Sequence, residues 1–242
     1  QYNKKKVVNT ADLSIPYFDF TGGELEKKHE ITGFGTKDEL HTNSDFKGYY
    51  HATTIIVPIV KKTSDKIYIL TCDKTTFGMD NFIQENYAIA PRWDVCGEHL
   101  QKSDLSDEET KTITSADYHR CAERGILEEL YLRNNAKTDS SKLKFLFPVR
   151  YNHHNNERFN NEISYCYVYD AIPEKADARI FEEYTDNLEM TVRLSLPTKL
   201  WVYEDLQQHF REAPAEFADG LGRVLVYLQN TQAYEKFIKN LD

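Results

Sequence analysis

Cys121-Ala-Glu-Arg-Gly-Ile-Leu-Glu-Glu-Leu-Tyr-Leu132 lies inside a run, Asp117–Leu132, whose apolar residues recur at helical spacing. Ser115 offers an N-cap, and Asp117 falls in the first turn, where the helix dipole favours negative charge. At about 100° per residue, with Arg124 at zero, Gly125 lies at about 100°, Glu128 at about 40° and Glu129 at about 140°. The two carboxylates therefore straddle one face, with Arg124 one turn before Glu128. Adjacent carboxylates that converge suit a hard divalent cation such as Mg²⁺. Left alone they repel, and a metal or an arginine relieves the cost. Taken alone, the same residues more often form a solvated pair with an ordinary i, i+4 contact between Arg124 and Glu128. Gly125 costs a helix about 1 kcal/mol relative to alanine. It marks either a close packing contact or backbone approached by a ligand.

On the N-terminal side of this run, Ala52–Val60 is β-branched and apolar and predicts a buried strand, with Lys66–Cys72 returning after a turn at Lys61–Asp65. Short strands are expected at Tyr87–Ala90 and Trp93–Cys96, and the acidic stretch Lys102–Thr114 reads as a loop. Beyond the helix, Leu143–Val149 and Ile163–Ala171 read as strands joined by the polar loop 151–161. Met190–Leu196 predicts another strand. Glu204–Phe210, Pro214–Leu228 and Ala233–Leu241 predict helices. Pro214 suits a first helical position. Phe217, Leu221, Val224, Leu225 and Leu228 recur at helical spacing and predict core packing. Residues 1–48 are weakly patterned, with loops and short elements expected to wrap the main domain. The order of strands, one helix, strands, then helices is α+β.

Composition bounds the partners. The 242 residues carry 30 basic and 39 acidic side chains, a formal charge of −9. Such a surface opposes a phosphate backbone at long range, which argues against general nucleic-acid binding. No apolar run approaches the roughly 18–20 residues of a membrane span. The first residues, QYNKKKVVNT, hold no apolar stretch, so no signal peptide is read there. Because the sequence starts at Gln1, an excerpt of a longer protein is one reading. Cys72, Cys96, Cys121 and Cys166 form no C-x-x-C pairs, the pattern of reduced structural thiols in a cytoplasm, not of a zinc-cysteine site. The 16 Tyr and 13 Phe are expected to pack a strand-rich core.

Arg124-Gly-Ile-Leu-Glu-Glu-Leu-Tyr-Leu132 resembles the second half of the Nudix box, R-E-U-x-E-E-x-G-U with U aliphatic. Arg124, Ile126, Glu128, Glu129 and Leu132 match, while Gly125 stands where the family has Glu and Tyr131 where it has Gly. Upstream, Trp93-Asp-Val-Cys-Gly-Glu-His-Leu100 resembles the W-D-x-S-x-G-G-H-V lead-in of the branch related to isopentenyl-diphosphate isomerase, with Glu98 in place of a glycine. Gly48-Tyr-Tyr-His-Ala52 and Asn160-Asn-Glu-Ile-Ser-Tyr165 resemble that branch's G-x-x-H-R-A and E-H-E-I-x-Y segments. From Gly97 to Arg124 is 27 positions (124 − 97), longer than in the plain box, and the loop Lys102–Thr114 holds the insertion.

The resemblance implies a Nudix-type α/β/α sandwich with a mixed sheet. An N-terminal extension over 1–48 would pack on a Nudix-like domain, with C-terminal helices, over 49–242. It implies metal-dependent hydrolysis of a diphosphate joined to another group, such as a nucleoside diphosphate-type compound, with Mg²⁺ or Mn²⁺ on Glu128 and Glu129. Arg124 would orient a glutamate or touch phosphate. Glu98, Glu123 and Glu162 are candidates for the carboxylate missing at Gly125. His51, His99 and Glu162 fall on positions of the isomerase-type second metal site, and neutral imidazole with carboxylate suits Mn²⁺ or Zn²⁺ better than Mg²⁺. The isomerase's cysteine would fall at Gly97, so isomerase activity is not expected. Arg92, Arg150 and Arg158 are expected phosphate contacts, and Tyr151, His153 and His154 are expected near an entrance. The partner implied is a phosphorylated small molecule, and the amphipathic C-terminal helices leave a homodimer open. The departures at Gly125, Tyr131 and Glu98 raise a second reading, a catalytically impaired Nudix-fold module that binds a nucleotide or a protein.

Overall fold

The computed structural model describes residues 14–61, 65–75, 90–106, 111–133, 137–154, 158–185 and 191–241. The strand expected at Tyr87–Ala90, except Ala90 itself, and the middle of the turn at Lys61–Asp65 lie outside them. In chain order the elements are β1 (Ile15–Phe18), β2 (His29–Gly35), α1 (Lys37–Thr42), β3 (Tyr50–Lys61), β4 (Tyr68–Asp73), β5 (Trp93–Asp94), β6 (Cys96–His99) and β7 (Thr112–Ile113). Next come α2 (Ser115–Glu129), β8 (Leu130–Leu132), β9 (Leu143–His154), β10 (Phe159–Pro173), β11 (Ala178–Thr185), β12 (Thr191–Ser195) and β13 (Thr198–Val202), then α3 (Tyr203–Glu212), α4 (Asp219–Tyr227) and α5 (Thr231–Lys239).

β3 is the axis of a ten-stranded mixed sheet. One edge pairs in parallel with β10, from His51 opposite Glu162 onward. The other edge is shared in turn by β1 at Tyr50–His51, β6 at Thr53–Ile56 and β4 at Ile59–Val60, all antiparallel. Nearly every residue of β3 is buried, as its unbroken apolar reading requires of a strand covered on both faces. Its alternate residues feed two cores. Ala52, Ile56 and Val60 meet Tyr118, Cys121, Ala122 and Ile126 of α2. Ile55, Val57 and Ile59 meet Leu206, Leu221, Val224 and Phe237 of the C-terminal helices. Each such side chain contributes about 1.5–3 kcal/mol on burial. The expected α+β class and helix–sheet–helix layering are observed.

Several boundaries differ from the sequence reading. Helix α2 is capped by Thr114, not Ser115: the buried Asp117 carboxylate accepts from Thr114 N–H (2.6 Å) and Ser106 N–H (2.9 Å). It also ends at Glu129, three residues early, because Leu130–Leu132 pairs with Ala178–Ile180 of β11, and strand pairing overrides helical period. Tyr131 is thus a strand residue. Most of the expected loop 151–161 is a hairpin, with His154 opposite Phe159. Pro214–Leu228 is not one helix. Pro214–Glu216 forms a 3₁₀ turn, and α4 starts at Asp219 because Asp94 accepts the Leu221 N–H (3.1 Å). The apolar series from Phe217 to Leu228 is buried as expected. Residues 14–48 are more ordered than their sequence suggests, since β1 hydrogen-bonds both β3 and β2 within the sheet. Among the described residues no helix is long and apolar enough to cross a membrane.

Candidate functional site

Strand alternation sets the site. His99 pairs with Thr53 and Glu98 with Thr54, so the two neighbours on β6 point to opposite faces of the sheet. His51 and Glu162, directly opposite each other on β3 and β10, share the His99 face. α1 adds His41, and one ligand atom from each of His41, His51, His99 and Glu162 lies within 4.8 Å of the others. The His51 and His99 rings stack at 5.2 Å, and His41 stands edge-on to His51 at 5.0 Å. All three Nε2 atoms are buried and make no hydrogen bond. His51 Nε2 is 3.6 Å from Glu162 Oε1, beyond hydrogen-bond reach.

Burial, helped by the neighbouring His51, lowers the His41 pKa to about 3. Burial, then Lys37 and His51, takes His99 well below its ordinary value. Burial raises Glu162, but His51 and Arg223 outweigh it and hold the carboxyl well below the usual range. The result is three imidazoles with unpartnered Nε2 atoms around a carboxylate, with His41 and His99 held neutral by burial. Unpartnered buried polar atoms are costly, and a cation satisfies all of them at once. The donor set fits a divalent metal of the imidazole-preferring kind.

A cleft of about 140 Å³ adjoins this cluster, lined by Thr53, Lys74, Asp94, His99, Glu162 and Arg223 among others. Arg223 of α4 reaches in, 2.7 Å from Glu162 Oε2 and donating to Ser164 Oγ at 2.8 Å. Its guanidinium lies 3.9 Å from the Tyr151 ring centre, and Tyr151 donates to Asp219 at 2.7 Å. Lys74 follows β4, with its ammonium 3.5 Å from both Asp94 and Glu182. Burial lowers its pKa, but Asp94, Glu182 and Glu129 together carry it well above the ordinary value.

The α2 carboxylates part company. Glu128 is half-buried and pairs with Arg124 at 3.0 Å. Glu129 is buried and accepts the Gly97 N–H at 2.9 Å. Burial pushes its pKa well up, against the pull of Lys74. Arg124 also holds Glu98 (3.2 Å), both oxygens of Asp104 (3.0 Å each) and the His99 carbonyl (2.8 Å), so it orients two glutamates. Gly125 is explained by packing. A Cβ there would stand 2.8 Å from Glu98 Cγ and 3.3 Å from Ile56 Cδ1. Glu98, raised to about 6 by burial against the pull of Arg124, fills the space that the glycine leaves.

The structure thus gathers His51, His99 and Glu162, while Glu98, which also lines the cleft, turns its carboxylate to Arg124, and among the described residues Glu98, Glu128 and Glu129 do not converge on one point. Arg92 is exposed and outside the cleft lining. Arg150 packs against Phe20 and Tyr50 and donates to the Tyr50 hydroxyl at 2.8 Å, also outside it. Arg158 is exposed but within electrostatic reach of His41. His154 contacts Asn161 at 2.8 Å. Sequence reading missed His41, Lys74 and Arg223. His41 had a signal in the capping box Thr36-x-x-Glu39, which announces the short helix that carries it.

No family model matches the chain, and no curated protein does. Solved structures similar to it are Nudix proteins. The NUDIX domain of Shewanella oneidensis NrtR complexed with ADP ribose is 13% identical over 65% of this chain and 75% of that one, with a TM-score of 0.35. A NUDIX hydrolase from Alicyclobacillus acidocaldarius is 10% identical over 75% and 93%, with a TM-score of 0.38. The C. elegans Ap4A hydrolase is 10% identical over 79% and 98%, with a TM-score of 0.33. At this level the likenesses lend no argument to the chemistry, which rests on the side chains described above.

Proposed function

We propose that the chain is a Nudix-type, metal-dependent hydrolase of a nucleoside diphosphate-type compound, with its divalent ion on His41, His51, His99 and Glu162. The observation that carries the reading is the convergence of three buried, unpartnered imidazole nitrogens and one carboxylate beside a cleft. This donor set favours Mn²⁺ or Zn²⁺ over Mg²⁺. A divalent ion bound there supplies Lewis acidity toward a phosphoryl oxygen and lowers the pKa of water. The chain's own groups do the rest. Arg223, fixed by Glu162, Ser164 and the Tyr151 ring, offers a planar guanidinium to a phosphate. Thr53 is set by a 2.6 Å hydrogen bond to Ser164.

The test is phosphate or monophosphate release from a panel of diphosphate-linked compounds. Chelator-stripped protein would be reconstituted in turn with Mn²⁺, Zn²⁺ and Mg²⁺. Turnover restored by Mn²⁺ or Zn²⁺ and lost in His99→Ala supports the proposal, whereas turnover unchanged in the stripped protein sinks it. A second reading, a non-catalytic binding module, is favoured by Arg124, which ties up Glu98 and Glu128. It predicts calorimetric binding of a nucleotide with no product under any metal.

A further inference from the structure

We infer that Asn160 is a positioning residue that turns one oxygen of Glu162 toward the imidazoles, so that Glu162 meets an ion through Oε1 alone. This rests on reading the imidazole cluster as a metal centre. Asn160 and Glu162 stand two apart on β10 and therefore share a face of the sheet. Asn160 Nδ2 donates to Glu162 Oε1 at 2.9 Å. The orientation of this amide is not free: an ionised carboxylate only accepts, so the NH₂ end must face Glu162. Asn160 Oδ1 is then left buried and without a hydrogen-bond partner. A buried acceptor without a donor costs stability, so the amide is kept for what its NH₂ end does.

The two oxygens of Glu162 are held by donors of different charge. Oε2 takes the Arg223 guanidinium at 2.7 Å, and Arg223 is itself fixed by Ser164 Oγ at 2.8 Å and the Asp219 carbonyl at 3.0 Å. A cation seated there repels a second one. Oε1 is the oxygen that faces His51, 3.6 Å from its Nε2, and the Asn160 amide that holds it is neutral. Oε1 accepts that hydrogen bond with one lone pair and keeps another for an ion. Without Asn160 the carboxylate is tethered through Arg223, and Oε1 is free to swing about that contact. Metal affinity falls when such an outer partner of a ligand is removed.

The experiment is Zn²⁺ affinity of the full chain, measured by competition with a chromophoric chelator. The ion of the cluster is the one that His99→Ala loses. Three imidazoles suffice for Zn²⁺, so the affinity remains measurable in Glu162→Ala. Asn160→Ala should weaken this ion by about 10–100-fold. In a Glu162→Ala background the same substitution should leave the affinity within about twofold, because its effect passes through Glu162. Circular dichroism verifies that each variant is folded. If Asn160→Ala is not, Asn160→Leu, of the same branched shape without an N–H, replaces it. An Asn160 variant that binds as tightly as wild type overturns the inference. So does an equal loss in both backgrounds, the mark of a residue that only supports the fold. Either result, with the His99-dependent ion present in wild type, leaves the proposed function standing. No His99-dependent ion in wild type overturns both the inference and the reading beneath it.

Discussion

Replacing Gly125 by alanine tests the packing logic of α2 quantitatively. Removing a mid-helix glycine should stabilise by about 1 kcal/mol. Against that, the new methyl stands 2.8 Å from Glu98 Cγ, whereas carbon pairs rest at about 3.5–4.0 Å. Overpacking of this kind costs about 1–3 kcal/mol. Relief requires Glu98 to swing away from Arg124, which forfeits their 3.2 Å contact. The expected net effect in wild type is a loss of about 1 kcal/mol. In a Glu98→Ala background Cγ is gone. The remaining neighbours, Glu98 Cβ and Ile56 Cδ1 at 3.3 Å each, need to give by only a few tenths of an ångström. There Gly125→Ala should gain up to about 1 kcal/mol, so the cycle has a coupling of about 2 kcal/mol. At about 2–4 °C per kcal/mol for a chain of this size, the substitution should move Tm by about 4–8 °C more favourably in the Glu98→Ala background. Urea and thermal unfolding followed by circular dichroism measure it. Equal effects in both backgrounds, within about 0.5 kcal/mol, would refute the claim that Glu98 occupies the space at Gly125.

The same geometry sets further expectations. In metal-stripped protein, His41 and His99 are neutral in the fold and take protons first when unfolded. Stability is therefore full above the unfolded imidazole pKa and falls as pH drops from about 7.5 to 5.5, by about 1.4 kcal/mol per imidazole. Denaturant midpoints across that range should show a slope that shrinks in His41→Gln, and an unchanged slope would contradict the neutral assignment. A saturating ion at the cluster should raise Tm in proportion to ln(1 + [L]/Kd) and do so less in His51→Ala, as differential scanning fluorimetry would show. Asp117→Ala leaves the Thr114 and Ser106 N–H groups without their acceptor and should cost about 1–3 kcal/mol in urea unfolding. Leu221→Ala, at a fully buried position on the inner face of α4, should cost about 2–5 kcal/mol. A loss below about 1 kcal/mol would mean that α4 is not packed as described.

Much of the fold was legible because β3 and β10 are long apolar strands and α2 has a clear period. What the sequence obscured is tertiary choice. Leu130–Leu132 continues the helical pattern as well as a strand pattern, and only β11, not itself visible as a strand, decides between them. Phe217 and Leu221 share a helical register across Ala218 although the helix starts after it. The Asp94 carboxylate that fixes this start is 127 residues away. β1 and β2 are short and mixed in character, so their membership of the sheet comes from pairing with β3 and not from propensity.

The site was legible where residues stand on regular strands. His51, His99 and Glu162 meet because parallel pairing sets His51 opposite Glu162 and antiparallel pairing sets His99 two residues along the same face of β3. The same alternation shows why Glu98, though adjacent to His99, belongs to a different group of charges. Glu98 and Gly125 are one packing decision written at two positions: the strand supplies the side chain, and the helix supplies the space. His41, Lys74 and Arg223 were not legible because each lies where a strand or short helix from another part of the chain meets β3. Their roles come from the charges that they meet there. Arg223 answers Glu162, and Lys74 answers Asp94 and Glu182. A reading that paired the two α2 glutamates by proximity along the helix missed these cations. Among the described residues, the donors that converge without a cation already among them are the imidazoles of His41, His51 and His99.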